Sequence, residues 1–138
     1  MRVRLVSDSH FSAAHRLHRE DWDEARNRRV FDKCSNPNGH GHTYGLEVTV
    51  EGEIDPETGY LMDFGDLKRT VDDAVIHKVD RRHLNHDVDF LAGINPTAEN
   101  IAVGIWRQLE GRVAPARLVR ITLQETDRNR VVYEGGEA

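Results

Sequence analysis

Apolar and polar side chains alternate along residues 2–13, with Val3, Leu5, Phe11 and Ala13 on one parity and Arg2, Arg4, Asp8 and His10 on the other. A period of two predicts a half-buried strand. Residues 43–51 repeat it, Tyr44, Leu46, Val48 and Val50 alternating with Thr43, Glu47, Thr49 and Glu51, and predict a second strand. Between them, residues 16–33 are rich in Arg, Glu and Asp and lack a period, which predicts a long exposed connection of the kind that often carries function. Beyond the turn Asp55-Pro56-Glu57-Thr58-Gly59 the period changes. Phe64, Leu67, Val71, Ala74 and Val75 recur at helical spacing behind Asp63, a capping residue, so a helix is predicted over about 63–77. A loop holding Asp80-Arg81-Arg82-His83-Leu84-Asn85 follows. Asn95-Pro96-Thr97 then carries cap and first-turn signals for a second helix with Ile101, Ile105 and Leu109 on one face. After Pro115, Val119, Ile121, Leu123 and Glu125 share one parity, Asp127-Arg128-Asn129-Arg130 can turn, and Val131-Val132-Tyr133 can pair back as a hairpin. The predicted order is ββααββ, an α+β domain without internal repeats, low-complexity segments or a dividing linker.

Extending each strand's inner parity reaches polar residues. Counting back from Tyr44 puts His42 and His40 on the apolar face, because side chains two apart in a strand point the same way. Counting forward from Phe11 and Ala13 puts His15 on its strand's apolar face. If the two strands are neighbours, three imidazoles converge at one end of a sheet. The same count from Leu123 puts Glu125 on the buried stripe, where a carboxylate is costly unless something pairs with it. His10, His18, His77 and His86 show no such convergence and read as ordinary surface or partly buried histidines.

Composition narrows the functions these residues can serve. At 138 residues the chain is the size of one domain able to bury its own core. With 19 Lys and Arg against 24 Asp and Glu the formal net charge is −5, and no basic run has the length of a nucleic-acid footprint. No apolar run is long enough to span a bilayer and no leader pattern opens the chain, so a soluble, cytoplasmic protein with no nucleic-acid or membrane partner is expected. The single cysteine, Cys34, cannot form an internal disulfide and stays open to a ligand or reactive role.

Three histidines with one open coordination position are the pattern of a catalytic zinc site, and H-x-H on a strand edge lets two imidazoles reach one ion. Cys34 has three readings beside them: a fourth ligand closing a structural site, a thiolate base or nucleophile beside the metal, or a small buried apolar side chain. The polar flanks Lys33, Ser35, Asn36 and Asn38 speak against the third. Gly39 and Gly41 point to a close backbone approach.

Six segments together carry a family resemblance. FSAAHRL at 11–17, CSNPNGHGHTY at 34–44, the Asp-Pro-x-Thr-Gly turn with MDFGDLK at 62–68, Asp80, PTAEN at 96–100 and QETDRNRVVYEG at 124–135 occur in order from one end of the chain to the other. The chain resembles the 6-pyruvoyltetrahydropterin synthase and 6-carboxytetrahydropterin synthase family. That resemblance implies a T-fold, a four-stranded antiparallel sheet with two helices on one face, assembled as a homo-oligomer in which trimers close a barrel and usually stack as a dimer of trimers. It implies Zn2+ held by His15, His40 and His42, with Cys34 and Asp80 as catalytic residues. Glu125 falls on the pterin-anchoring glutamate and Glu99 on a second recognition glutamate, with Thr97 beside it in PTAEN as a substrate contact. The implied substrate is 7,8-dihydroneopterin triphosphate, and the implied products are 6-pyruvoyltetrahydropterin with triphosphate, or 6-carboxytetrahydropterin with acetaldehyde and triphosphate. These serve tetrahydrobiopterin and queuosine biosynthesis respectively. One departure stands out: family members commonly follow the aspartate with a proton-shuttling histidine, whereas here Asp80 is followed by Arg81 and the nearest histidine is His83. Arginine cannot shuttle a proton near neutral pH, but it can stabilise a thiolate or bind phosphate. The contrasting expectation is a non-catalytic pterin- or purine-binding protein in which Cys34 closes a structural zinc site.

Overall fold

The computed structural model describes residues 1–136. Its centre is a five-stranded sheet in the order β3-β1-β2-β4-β5. β1 (Arg2–His15) and β2 (His40–Glu53) pair antiparallel over their whole length, from Arg2 opposite Glu53 to His15 opposite His40. β4 (Arg117–Thr126) pairs antiparallel with β2, and β5 (Asn129–Tyr133) with β4. β3 (Arg82–His83) is a two-residue strand lying parallel to β1 at Ala13 and Ala14.

The alternation reads true on the inner face. Tyr44, Leu46, Val48 and Val50 are fully buried and join one core with Leu67, Val71, Val75, Ile101, Ile105 and Leu109 from the helices. Each such side chain contributes roughly 1.5–3 kcal/mol by leaving water. The first long helix starts at Asp63, whose carboxylate accepts from the Gly65 and Asp66 amides, and runs as α2 (Phe64–Val71), a π-helical turn (Asp72–Ile76) and α3 (His77–Val79). α4 (Ala98–Leu109) is capped by the Thr97 hydroxyl on the Asn100 amide.

Three features depart from the sequence reading. The sheet has a fifth strand and is mixed, because β3 docks parallel on the edge of β1; two residues are too few to leave a periodic signal. The connection over residues 16–33 holds a helix, α1 (Glu24–Phe31), capped by Asp23 and followed by a 3₁₀ turn (Asp32–Ser35). Its only buried residue is Asn27, so it has no apolar stripe to betray it. In β4 the pairing with β2 slips between Thr49 and Val50, which puts Leu118 rather than Val119 in the core. A bulge reverses parity on one side of itself, and alternation counted through it goes wrong there.

Candidate active site

His15 closes β1 and His40 opens β2 directly opposite it, with His42 two residues further along the same face and opposite Ala13. The full-length register therefore gathers all three imidazoles at one sheet end. Their ligand-type nitrogens all lie within 4.8 Å of one another, and the Nε2 atoms of His15 and His40 are 3.1 Å apart. The rings meet edge to face, with centroids 4.6 to 5.2 Å apart.

His15 is only 1% exposed. Its Nδ1–H donates to the Pro96 carbonyl at 2.8 Å, which leaves the Nε2 lone pair facing the other two rings. Tyr44, wholly buried, places its hydroxyl 3.4 Å from the same Nδ1. Burial first, then the neighbouring rings, pulls His15 down to about 4; burial and His42 lower His40 as well. Both are neutral near pH 7, the form that gives a lone pair to a metal. His40 Nδ1 and His42 Nε2 are buried without a hydrogen-bond partner. Buried polar atoms are seldom left so, and three imidazole nitrogens facing one another are a donor set that suits zinc, so the residues fit the ion.

Glu125 is the bulged residue where β4 meets β5, since Gln124 pairs with Arg130 and Thr126 with Asn129. The bulge aims its carboxylate at the cluster, with Oε1 3.8 Å from His42 Nε2. Cys34 lies half-buried in the 3₁₀ turn before β2. That turn is tied to the residues just after His15: Leu17 N–H donates to the Cys34 carbonyl at 2.7 Å and Arg16 Nε to the Ser35 carbonyl at 2.8 Å. Burial, then the negative charges of Glu125 and Asp32, push the Cys34 thiol up, and burial with Glu125 and Cys34 pushes the Tyr44 phenol far up. Among the described residues the metal-type group consists of the three histidines, with Cys34 outside it.

His83, on β3, accepts the Asn85 amide at Nδ1 (3.3 Å), so its proton sits on Nε2. That Nε2 lies 3.1 Å from where a side chain on Gly39 would begin, next to His40. Gly39 has φ +72° and stands 2.9 Å, by the same measure, from the His15 carbonyl, so a close approach does occur there. Gly41 is not crowded in this way. Asp80 serves as a clamp: its Oδ1 accepts the Ser12 amide at 2.9 Å, while Arg81 N–H donates to the Ser12 carbonyl at 2.6 Å, holding β3 against β1. Arg81 is exposed, at φ +60°. Thr97 uses its hydroxyl as the α4 cap, and Glu99 stands exposed in the first turn, one turn of chain beyond the Pro96 carbonyl that orients His15.

Sequence reasoning missed the Pro96 carbonyl, Tyr44 as a neighbour of the histidines, and Asn85, whose amide both receives Arg16 N–H and donates to the Arg16 carbonyl at 2.8 Å. A carbonyl carries no residue signature. His86, read as an ordinary surface histidine, stacks on His83 with ring centroids 4.4 Å apart.

A mixed sheet that gathers three histidines able to hold a metal ion, with a carboxylate beside them, is the scaffold of a candidate metal site. Residues 4–136 match the family model 6-pyruvoyl tetrahydropterin synthase. The chain is 46% identical over 125 residues to the 6-pyruvoyl tetrahydrobiopterin synthase of Pongo abelii and 44% to that of Homo sapiens, covering 91% of this chain and 86% of each relative. It is also 38% identical over 126 residues to the dihydroneopterin monophosphate aldolase of Pyrococcus furiosus, covering 91% of both chains. The solved Caenorhabditis elegans 6-pyruvoyl tetrahydropterin synthase superposes with a TM-score of 0.91 at 38% identity over 99% of this chain and 97% of its own. The chain belongs to the 6-pyruvoyl tetrahydropterin synthase family and is an enzyme of that lyase type, with that family's T-fold.

Proposed function

We propose that this chain binds Zn2+ at His15, His40 and His42 and converts 7,8-dihydroneopterin triphosphate to 6-pyruvoyltetrahydropterin and triphosphate, as a homo-oligomer of trimers. The observation that carries the reading is the convergence of three imidazoles, one with an orphaned Nε2, beside the Glu125 carboxylate. When bound, zinc supplies Lewis acidity that makes the carbon bearing the substrate's side-chain oxygen more acidic. Glu125 accepts the pterin's exocyclic amine and ring N–H side by side in a charge-assisted pair, which fixes the ring, and Glu99 and Thr97 supply further contacts. Cys34 takes the proton from the side-chain carbon as general base. Burial and the charges of Glu125 and Asp32 raise its pKa, which works against that role, and a dication held by His15, His40 and His42 would favour the thiolate. His83 carries a proton on Nε2 close to the cradle and returns it to the opposite side, with Asp80 holding its strand in place. This gives the chain an acid in place of the histidine that Arg81 replaces.

The experiment is product analysis with zinc-loaded protein and 7,8-dihydroneopterin triphosphate. 6-Pyruvoyltetrahydropterin with stoichiometric triphosphate is expected. Acetaldehyde release would assign the carboxy branch instead, side-chain cleavage without triphosphate release an aldolase, and intact substrate would end the catalytic reading.

A further inference from the structure

β3 ends at His83, yet its pairing with β1 continues beyond it. Leu84 N–H still donates to the Ala14 carbonyl at 2.8 Å. One residue further on, the side chain of Asn85 takes over from the backbone: its Oδ1 accepts Arg16 N–H and its Nδ2 donates to the Arg16 carbonyl, both at 2.8 Å. A carboxamide holds an acceptor and a donor side by side, so Asn85 answers both backbone groups of one residue and adds a rung to the ladder. Behind it the chain folds into a tight turn. The His86 and Asp87 amides donate to the His83 carbonyl at 3.1 and 2.9 Å, and the Asp87 carboxylate accepts His83 N–H at 3.1 Å. Within that turn Asn85 N–H donates to His83 Nδ1 at 3.3 Å.

The residue gripped by Asn85 stands between two functional groups. Arg16 directly follows His15, and its Nε donates to the Ser35 carbonyl in the turn that carries Cys34, while Leu17 N–H holds the Cys34 carbonyl. A run of hydrogen bonds therefore leads from the Cys34 turn through Arg16 and Asn85 to the His83 ring. The Asn85 carboxamide is committed to backbone at both its oxygen and its nitrogen, so any effect it has on the reaction passes through the groups it holds.

We infer that Asn85 is a positioning residue: bound to Arg16, it fixes the His83 ring relative to the Cys34 turn, so that acid and base face the substrate at a set separation. The inference rests on the proton roles given above to Cys34 and His83. An aspartate at this position fills the same volume and still accepts Arg16 N–H, but it cannot donate to the Arg16 carbonyl, which makes the donor separable from the shape.

The test uses zinc-loaded Asn85→Ala and Asn85→Asp variants, with zinc content and circular dichroism reporting folding. Asn85→Asp reads the lost donor alone if Asn85→Ala does not fold. In both, kcat with 7,8-dihydroneopterin triphosphate is expected to fall by roughly 10–10²-fold, the scale of a misplaced catalytic group, with KM and zinc content unchanged. Imidazole 15N NMR should show His83 as the Nε2–H tautomer in the parent protein and as a mixture of tautomers in the variants. Adding Asn85→Ala to His83→Ala should cost little further turnover, because the group being positioned is already gone. Unchanged kcat in both variants overturns the assignment, as does an unchanged His83 15N pattern or a full additional loss in the double variant. Full turnover in His83→Ala would sink the proton role itself, whereas the NMR signature reads the positioning directly, so the two ideas fail separately.

Discussion

At one end of the β1–β2 ladder Arg4 and Arg117 share Glu51, while Arg2 and the N-terminal amine share Glu53. At the other end His15 and His40 face each other across the last rung, His42 Nε2 lacks a partner, and Glu125 is the nearest charge. One continuous register builds both ends, so backbone pairing does not explain the difference. What separates them is whether each polar group is satisfied within the chain. The Arg–Glu end is complete and solvated, where ion pairs contribute little to stability. The histidine end is buried and incomplete, and leaving polar atoms unpaired there costs stability that a bound ion can offset.

The largest expected effect breaks the incomplete end itself. His42→Ala removes a ligand, and zinc content measured by elemental analysis should fall from one ion per chain to near zero, with turnover lost; retained stoichiometric zinc would show that the ion binds elsewhere. Next, Cys34→Ala should keep zinc and lower kcat by roughly 10²–10⁴-fold, the range for a general base, and His83→Ala should do the same at the lower end of that range. Zinc loss and unfolding in Cys34→Ala would instead make the cysteine a ligand of a closed structural site. A smaller effect is expected where the backbone crowds: Gly39→Ala forces a side chain into a positive φ against the His15 carbonyl and should cost about 1–3 kcal/mol by chemical denaturation. The smallest lies at the satisfied end. Arg4→Ala should leave zinc content and turnover unchanged with barely a shift in Tm, and a large activity loss there would erase the distinction between the two ends.

Much of this contrast is legible in the sequence, and the limits of legibility are physical. His15, His40 and His42 could be placed on one face because alternation in an unbroken strand is a local rule, and β1 and β2 run unbroken over the residues that matter. Val119 could not, because it is the extra residue of a bulge, Arg120 pairing with Thr49 and Leu118 with Val50. Glu125 reached the site although it too sits at a bulge, on the β5 side, where the slip re-aims the side chain at His42. α1 stayed hidden because a helix that buries only Asn27 writes no hydrophobic stripe. Asp80 was expected to be catalytic from the family resemblance, and the structure adds a hydrogen bond to Ser12 that only the docking of β3 creates.

From the sequence alone came the strands and helices with strong periods, the face of each that meets the core, and the candidate donors at the ends of two strands. Those follow from backbone geometry that each residue shares with its near neighbours. Only the tertiary structure decided which nitrogen of His15 faces the cradle, since Pro96 lies 81 residues away in the chain. The same holds for the proton on His83, set by Asn85, and for the amide bridge from Asn85 to Arg16. These are consequences of register and docking between distant segments, and no local pattern of residue types encodes them.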